Sequence, residues 1–209
     1  MVNTLYYFAV RGRGESIRLL YHLHGEPFVD NRIDRENWPV LKAQMPLGQI
    51  PVLEVEGKKI AQSTAILRYV GNQLHRAGSN AVESARLDMI GEVVHEFTNS
   101  PGYALWPKIV LGVLPGDAKL HYKENVTADV DKYAPIIEKL LLENGNNGLF
   151  LGDRETWVDV YSAEVFKKIL DYGNKDALEA YPNILNQISR IFSNANVKSY
   201  VDKRSPTPF

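Results

Sequence analysis

The strand signals of this chain are spent in its first third, and nothing else in the sequence limits its fold as much. Thr4 to Phe8 is a short β-prone run, and Phe28-Val29-Asp30-Asn31-Arg32-Ile33 reads as a second strand. Between them Glu15 to His24 carries Ile17, Leu20, Tyr21 and Leu23 at near-helical spacing, and Gly25 ends that helix as a C-terminal glycine should. Strand, helix and strand in that order favour a parallel pair. After a loop with Trp38 and Pro39, the runs Ile50 to Val55 and Lys58 to Ala61 flank Glu56-Gly57, a two-residue link that makes a β-hairpin. From Ser63, read as an N-cap, Ile66, Leu67, Val70 and Leu74 recur at helical spacing.

The outline so far is βα, β, loop, ββα, which is thioredoxin-like. Around Arg76-Ala77-Gly78-Ser79-Asn80 the texture turns small and polar, as in a linker, and beyond it only helices are signalled. Arg86 to about Val113 reads as a long helical stretch that Pro101-Gly102 and Pro107 bend or break. Val130, Tyr133, Ile137 and Leu141 mark another helix, with Pro135 inside it and a kink expected there. Thr156-Trp157-Val158-Asp159 has capping-box spacing with a short Asp in place of Glu or Gln. The run that follows, to Leu170, is apolar on almost all sides and should form the core of the second unit. Ile184, Ile188, Ile191 and Phe192 supply a further helix. The expected organisation is an α/β domain over residues 1–79 with a mixed four-stranded sheet, then an all-α helical bundle over 80–209.

Composition narrows the function classes. The chain has 209 residues, 44% hydrophobic and 23% charged, with a formal net charge of -1, so neither a nucleic acid nor an acidic membrane is an expected partner. No apolar run approaches the ~20 residues of a membrane helix, and Met1 to Tyr7 lacks the pattern of a secretory signal. Zero cysteines exclude disulfides, thiolate metal sites and a cysteine nucleophile. The histidines show no recurrent ligand spacing, so no metal is expected. A cytoplasmic protein is the default.

Three segments carry candidate chemistry. Tyr7 stands where the first strand breaks into Arg11-Gly12-Arg13-Gly14, which sets a phenol beside two guanidinium groups and a fresh helix N-terminus. For Ile50-Pro51 the trans bond is the default. A cis bond, which follows if the overall fold is right, turns the Ile50 backbone outward to pair with a peptide ligand. Gln62-Ser63 opens a helix, where a hydroxyl and nearby N–H groups can hold a carboxylate. Trp38 and Lys42 offer an indole N–H and an ammonium to another.

Tyr7-Phe8 with Arg11-Gly12-Arg13, Trp38-Pro39, Lys42, Gly48-Gln49-Ile50-Pro51 and Gln62-Ser63 resembles the cytosolic glutathione transferases. The likeness is to the sigma class, with its invertebrate members and the haematopoietic prostaglandin D synthases. It extends to the second unit through Tyr133-Ala134-Pro135 and Gly152-Asp153 ahead of Thr156. The resemblance implies that Tyr7 is catalytic, donating its hydroxyl proton to the glutathione sulfur, with Arg13 adding positive charge. Trp38, Lys42 and Gln49 would hold the glycine end, Ile50 the cysteinyl backbone, and Gln62 with Ser63 the γ-glutamyl carboxylate, with Gly48 a further glutathione-binding residue. Glu96, where the family often has Asp, would reach the γ-glutamyl amine across a homodimer interface. Val10, Gly12, Tyr103 and Trp106 would line the electrophile site, with Phe209 further off. Ala9 and Gln49 depart from the Asn and Lys of other members.

The implied activity is conjugation of glutathione to electrophilic small molecules, a detoxification reaction with glutathione as co-substrate and no metal. Two alternatives on the same scaffold are a glutathione-dependent prostaglandin H isomerase and a lipid-hydroperoxide peroxidase. A third, of another class, is a carrier of apolar ligands or a crystallin-like protein. The chain's 3 methionines and lack of an insertion argue against the crystallin.

Overall fold

Alternation along the first strand decides where the sheet lies. In β1 (Asn3–Phe8), Leu5 and Tyr7 are buried and their neighbours are not, the period-2 pattern of a strand covered on one face. The computed structural model describes residues 2–206 and 209. After β1 come α1 (Glu15–Leu23), β2 (Phe28–Ile33), a short α2 (Trp38–Lys42), β3 (Val52–Val55), β4 (Lys58–Ala61) and α3 (Ser63–Gln73). The helical remainder is α4 (Ala81–Asn99), α5 (Pro101–Val110), α6 (Ala118–His121), α7 (Thr127–Leu142), α8 (Trp157–Lys168), α9 (Pro182–Ser193) and α10 (Ala195–Lys203). π-helical turns at Tyr122–Val126 and Ile169–Gly173 lead into α7 and out of α8.

The sheet is four-stranded and mixed, in the order β2-β1-β3-β4. β1 runs parallel to β2, with Tyr7 opposite Arg32, and antiparallel to β3, with Leu5 opposite Leu53. Glu56 and Gly57 close the β3–β4 hairpin, both at positive φ (50° and 77°), the conformation of a type I′ link. This is a thioredoxin-like unit followed by a helical one.

Several local readings of the sequence are corrected. Trp38 and Pro39 open the helix α2 rather than a loop, with Pro39 in its first turn. Gln62, not Ser63, is the N-cap of α3: it takes φ 74° directly after β4 and leaves Ser63 as the first helical residue. The long helical stretch starts at Ala81, where the Asn80 side chain accepts from the N–H groups of Val82 and Glu83 (both 3.0 Å), and it breaks at Ser100. Pro107 lies inside α5, and α7 continues through Pro135. The helix α10 had no signal in the sequence reading. Among the described residues no helix is long and apolar enough to cross a membrane.

The centre of the molecule is α8. Its capping box forms as the sequence implies: the Asp159 N–H donates to the Thr156 side chain and the Thr156 N–H to Asp159 Oδ2 (2.7 Å), which also accepts from the Thr156 hydroxyl (2.6 Å). Asp159 Oδ1 accepts from the Phe150 N–H (2.9 Å) and from Gln187 of α9 (3.1 Å). The Trp157 ring is wedged against α3 and α4 where both lack a side chain. A Cβ on Gly71 would lie 2.7 Å from Trp157 Cδ1, and one on Gly91 2.3 Å from its Cη2. Gly91→Ala should therefore destabilise by about 1–3 kcal/mol through overpacking, although Ala is the better helix former by about 1 kcal/mol. A calorimetric midpoint equal to or above wild type in Gly91→Ala would contradict this wedge.

Candidate active site

The turn after β1 is held rigidly because a buried guanidinium collects its carbonyls. Arg18 of α1 is fully buried; it donates to Phe8 O (3.0 Å) and Val10 O (2.8 Å) and pairs with Asp30 of β2 (3.0 Å). Two glycines then let the backbone lie directly on the Tyr7 ring. A Cβ on Gly12, which sits at φ 41°, would fall 2.3 Å from Tyr7 Oη, and one on Gly14 2.4 Å from Tyr7 Cδ1. The result is one directed contact: the Arg13 N–H donates to Tyr7 Oη at 2.9 Å. Burial raises the Tyr7 pKa above the ordinary 10.0, opposed in part by that N–H and by the Arg13 and Arg18 charges. The phenol is therefore neutral at physiological pH. Its proton has no acceptor among the described residues.

Tyr7 lines a cavity of about 770 Å³ that also takes in Arg13, Trp38, Lys42, Gly48, Gln49 and Ile50. Arg13, Gln49 and Ile50 continue into a smaller recess with Pro51, Gln62 and Ser63. The residues singled out on three separate segments are thus brought into one strip. The Ile50–Pro51 bond is cis. Trp38 meets Phe8 edge-on at 5.7 Å, and the Lys42 side chain lies over Gly48 without a hydrogen-bonding partner among the described residues. Arg13 Nη2 donates to Asn99 Oδ1 of α4 at 2.6 Å. Glu96 stands exposed on α4, outside both linings.

On the other side of Tyr7 the cavity is apolar. Of the four residues named for an electrophile site, Val10, Gly12 and Tyr103 are in its lining and Trp106 is not. Its ring is fully buried behind the wall, 5.1 Å from Tyr122 and 5.0 Å from Phe209. Phe209 occupies the wall instead, with its carbonyl oxygen accepting from the Gly12 N–H at 2.9 Å. Pro107, Leu111, Val113, Tyr161 and Val165 share that side with Thr98, Ala104, Lys108 and Lys168. None of these had a sequence signal beyond helical periodicity.

Arg11 points away from the cavity into the protein. Its Nε and Nη2 donate to the two oxygens of Glu164 on α8 (3.0 and 2.9 Å), and Nη1 donates to Asp171 (2.8 Å). Burial pushes the Glu164 carboxyl up, but Arg11 and Lys168 more than reverse this and leave it below the ordinary 4.5.

Comparison with known proteins agrees with this geometry. Residues 3–72 match the N-terminal domain of glutathione S-transferases, and residues 114–204 match their C-terminal domain. A probable glutathione S-transferase of Caenorhabditis elegans, gst-36, is 60% identical over 97% of both chains. The crystal structure of the glutathione S-transferase from Ascaris lumbricoides superposes with a TM-score of 0.90 at 33% identity, covering 100% of both chains. A Nu-class transferase from Haemonchus contortus gives 0.84 at 34% identity over 99% of this chain and 98% of its own.

The ion pair beneath the turn has a pH signature. A depressed Glu164 contributes stability that is fully present above 4.5 and is lost as pH falls through its lower folded value. Glu164→Gln leaves Arg11 buried without its bidentate partner and should cost about 3–5 kcal/mol at pH 7. Denaturant melts of the two proteins should converge as the pH drops below 4.5; a gap that stays constant to pH 3 contradicts the assignment.

Proposed function

The chain belongs to the glutathione S-transferase family, and from that membership we propose that Tyr7 is the hydroxyl donor that holds the glutathione sulfur as thiolate. The single observation that carries this is the Tyr7 oxygen itself. One of its acceptor positions is occupied by the Arg13 N–H at 2.9 Å, and burial keeps the phenol protonated. A protonated phenol with an occupied acceptor side has a proton to give, which suits an anionic sulfur and does not suit a general base.

The energetics fit the task. A free thiol has a pKa of ~8.5, so only a few per cent is thiolate at neutral pH. A hydrogen bond to a charged partner is worth about 1.5–3 kcal/mol, which lowers a thiol pKa by about 1–2 units when it favours only the thiolate. Arg13 and the N-terminal turn of α1 add to the same field. The thiolate then attacks the electrophile RX: the S–C bond forms, the bond to X breaks, and RX + GSH gives RSG + HX.

Trp38, Lys42, Gly48 and Gln49 hold the glycine carboxylate end in this reading, Ile50 pairs with the cysteinyl backbone, and Gln62 with Ser63 holds the γ-glutamyl carboxylate. The unpartnered Lys42 ammonium supports the first of these assignments. Val10, Gly12, Tyr103 and Phe209 line the acceptor side, whose apolar walls suit hydrophobic electrophiles and a detoxifying role. We read the chain as sigma-like from its motif residues, and the Nu-class likeness defines the competing class. A cytoplasmic homodimer, with Glu96 reaching into the partner's site, completes the reading.

Tyr7→Phe should raise the pKa of bound glutathione by about one unit or more and lower turnover on an aryl halide at least about tenfold, the scale of one charged hydrogen bond. Thiolate absorbance and steady-state rates measure both, and unchanged values would remove Tyr7 from the chemistry. Sedimentation equilibrium should give the mass of two chains; a single-chain mass at micromolar concentration excludes the Glu96 role. Incubation with a prostaglandin endoperoxide and product analysis separates isomerisation from conjugation.

A further inference from the structure

One peptide unit beside Tyr7 is gripped at both ends. Its N–H, from Arg13, donates to Tyr7 Oη at 2.9 Å. Its carbonyl oxygen, from Gly12, accepts from Lys168 Nζ at 2.7 Å. Lys168 lies 156 residues further along the chain, at the end of α8, and reaches this carbonyl from within the molecule, only 3% exposed. Glu164, one helical turn earlier, pairs with Lys168 at 3.3 Å while its two oxygens hold Arg11. The helix thus fixes the turn at Arg11 and, one residue later, at Gly12.

We propose that Lys168 is a positioning residue for Tyr7, acting through the Gly12–Arg13 peptide to keep the tyrosine hydroxyl directed at the glutathione sulfur. The inference rests on the reading of Tyr7 as the thiolate's hydrogen-bond donor. Two physical effects carry it. The amide is conjugated, so an ammonium on its carbonyl oxygen withdraws electron density and makes its N–H a stronger donor. A stronger donor on Tyr7 Oη stabilises the negative charge that builds there as the phenol shares its proton with sulfur.

The second effect is steric. Gly12 sits at φ 41°, in the region only glycine enters freely, so its neighbouring peptide has an alternative orientation open to it. A flipped peptide would aim the Gly12 carbonyl at Tyr7 Oη and accept the very proton the sulfur needs. The Lys168 ammonium holds that carbonyl on the far side. The charges facing Lys168 are Glu164 on its own helix, Arg11 from the turn and Glu15 from α1, with the Phe209 ring 5.2 Å from Nζ. Burial draws the Lys168 pKa down, and Glu164 and Glu15 work against that fall.

The test is a series at position 168 in two backgrounds, read by thiolate absorbance of bound glutathione and by the pH profile of kcat/KM. In the otherwise wild-type protein, Lys168→Met should raise the thiol pKa by about half a unit or more, roughly a threefold loss of thiolate at neutral pH. The KM for glutathione should stay within about twofold, since no glutathione contact is removed. Lys168→Arg should restore the lower pKa. In the Tyr7→Phe background, Lys168→Met should add no further shift. Should Lys168→Met fail to fold, Lys168→Gln tests the effect of the charge alone, because it removes the ammonium and keeps an N–H donor for the carbonyl; a rise of the thiol pKa in the same direction is expected. A folded charge-removing variant with the wild-type pKa overturns the inference while leaving the Tyr7 reading intact. So does a shift of equal size in the Tyr7→Phe background, which means that Lys168 acts on the sulfur directly. An Arg variant as impaired as the Met variant also counts against it. If Tyr7→Phe alone leaves the thiol pKa where it was, the Tyr7 reading falls and this inference falls with it.

Discussion

Arg11 carries a full charge at 2% exposure, and the site depends on how that charge is tolerated. An unpaired guanidinium in such a place would be prohibitive. Glu164 meets it with both oxygens and Asp171 adds a third contact. Because Glu164 belongs to α8, the turn from Arg11 to Arg13 is held from the helical part of the chain as well as from α1. The N–H that Arg13 offers Tyr7 is therefore a product of tertiary assembly and not of the strand–helix junction alone.

The sequence was most legible where the signal is local. The Glu56-Gly57 link, Gly25 after α1, and the Thr156–Asp159 box each follow from the conformational needs of a few neighbouring residues, and each appears in the structure. The N-cap of α3 was misread by one residue because the end of β4 decides it. Ala61 is still paired with Val52, so Gln62 must make the turn. Trp106 was misassigned for a different reason. Helical spacing says that one face of α5 is apolar but not whether that face looks into a cavity or into the core. Tyr122 and Phe209, far away in sequence, settle the matter by closing over its ring. Arg11 reads in the sequence as a second guanidinium beside Tyr7, because the partner that turns it inward lies 153 residues away.

The cavity has two textures because two kinds of structure wall it. Its polar side is built from turns and short elements of the first unit, where backbone groups and exposed side chains such as Lys42 and Gln49 are free to face a ligand. Its other side is built from helix faces, where periodic burial leaves mainly apolar groups to show, such as Leu111 after α5 and Val165 on α8. Tyr7 stands where the two meet, near the end of β1. In the proposed reading, a thiol beside Tyr7 would have polar groups behind it for the rest of its molecule and a largely apolar space in front.

The phenol at that boundary has to satisfy two opposed demands. Burial alone would give a poor acid, reluctant to share its proton with any acceptor, whereas enough positive charge would ionise it and leave an oxygen that can only accept. Here burial dominates and the pKa is raised, while the Arg13 N–H with the Arg13 and Arg18 charges pulls it part of the way back. The close approach of Gly12 and Gly14 makes this balance geometric as well as electrostatic. With no Cβ between turn and ring, the N–H reaches the oxygen at 2.9 Å, and any side chain at either glycine would hold it off. A tyrosine balanced in this way stays neutral with a proton to give, which is what the proposed role toward a thiolate requires.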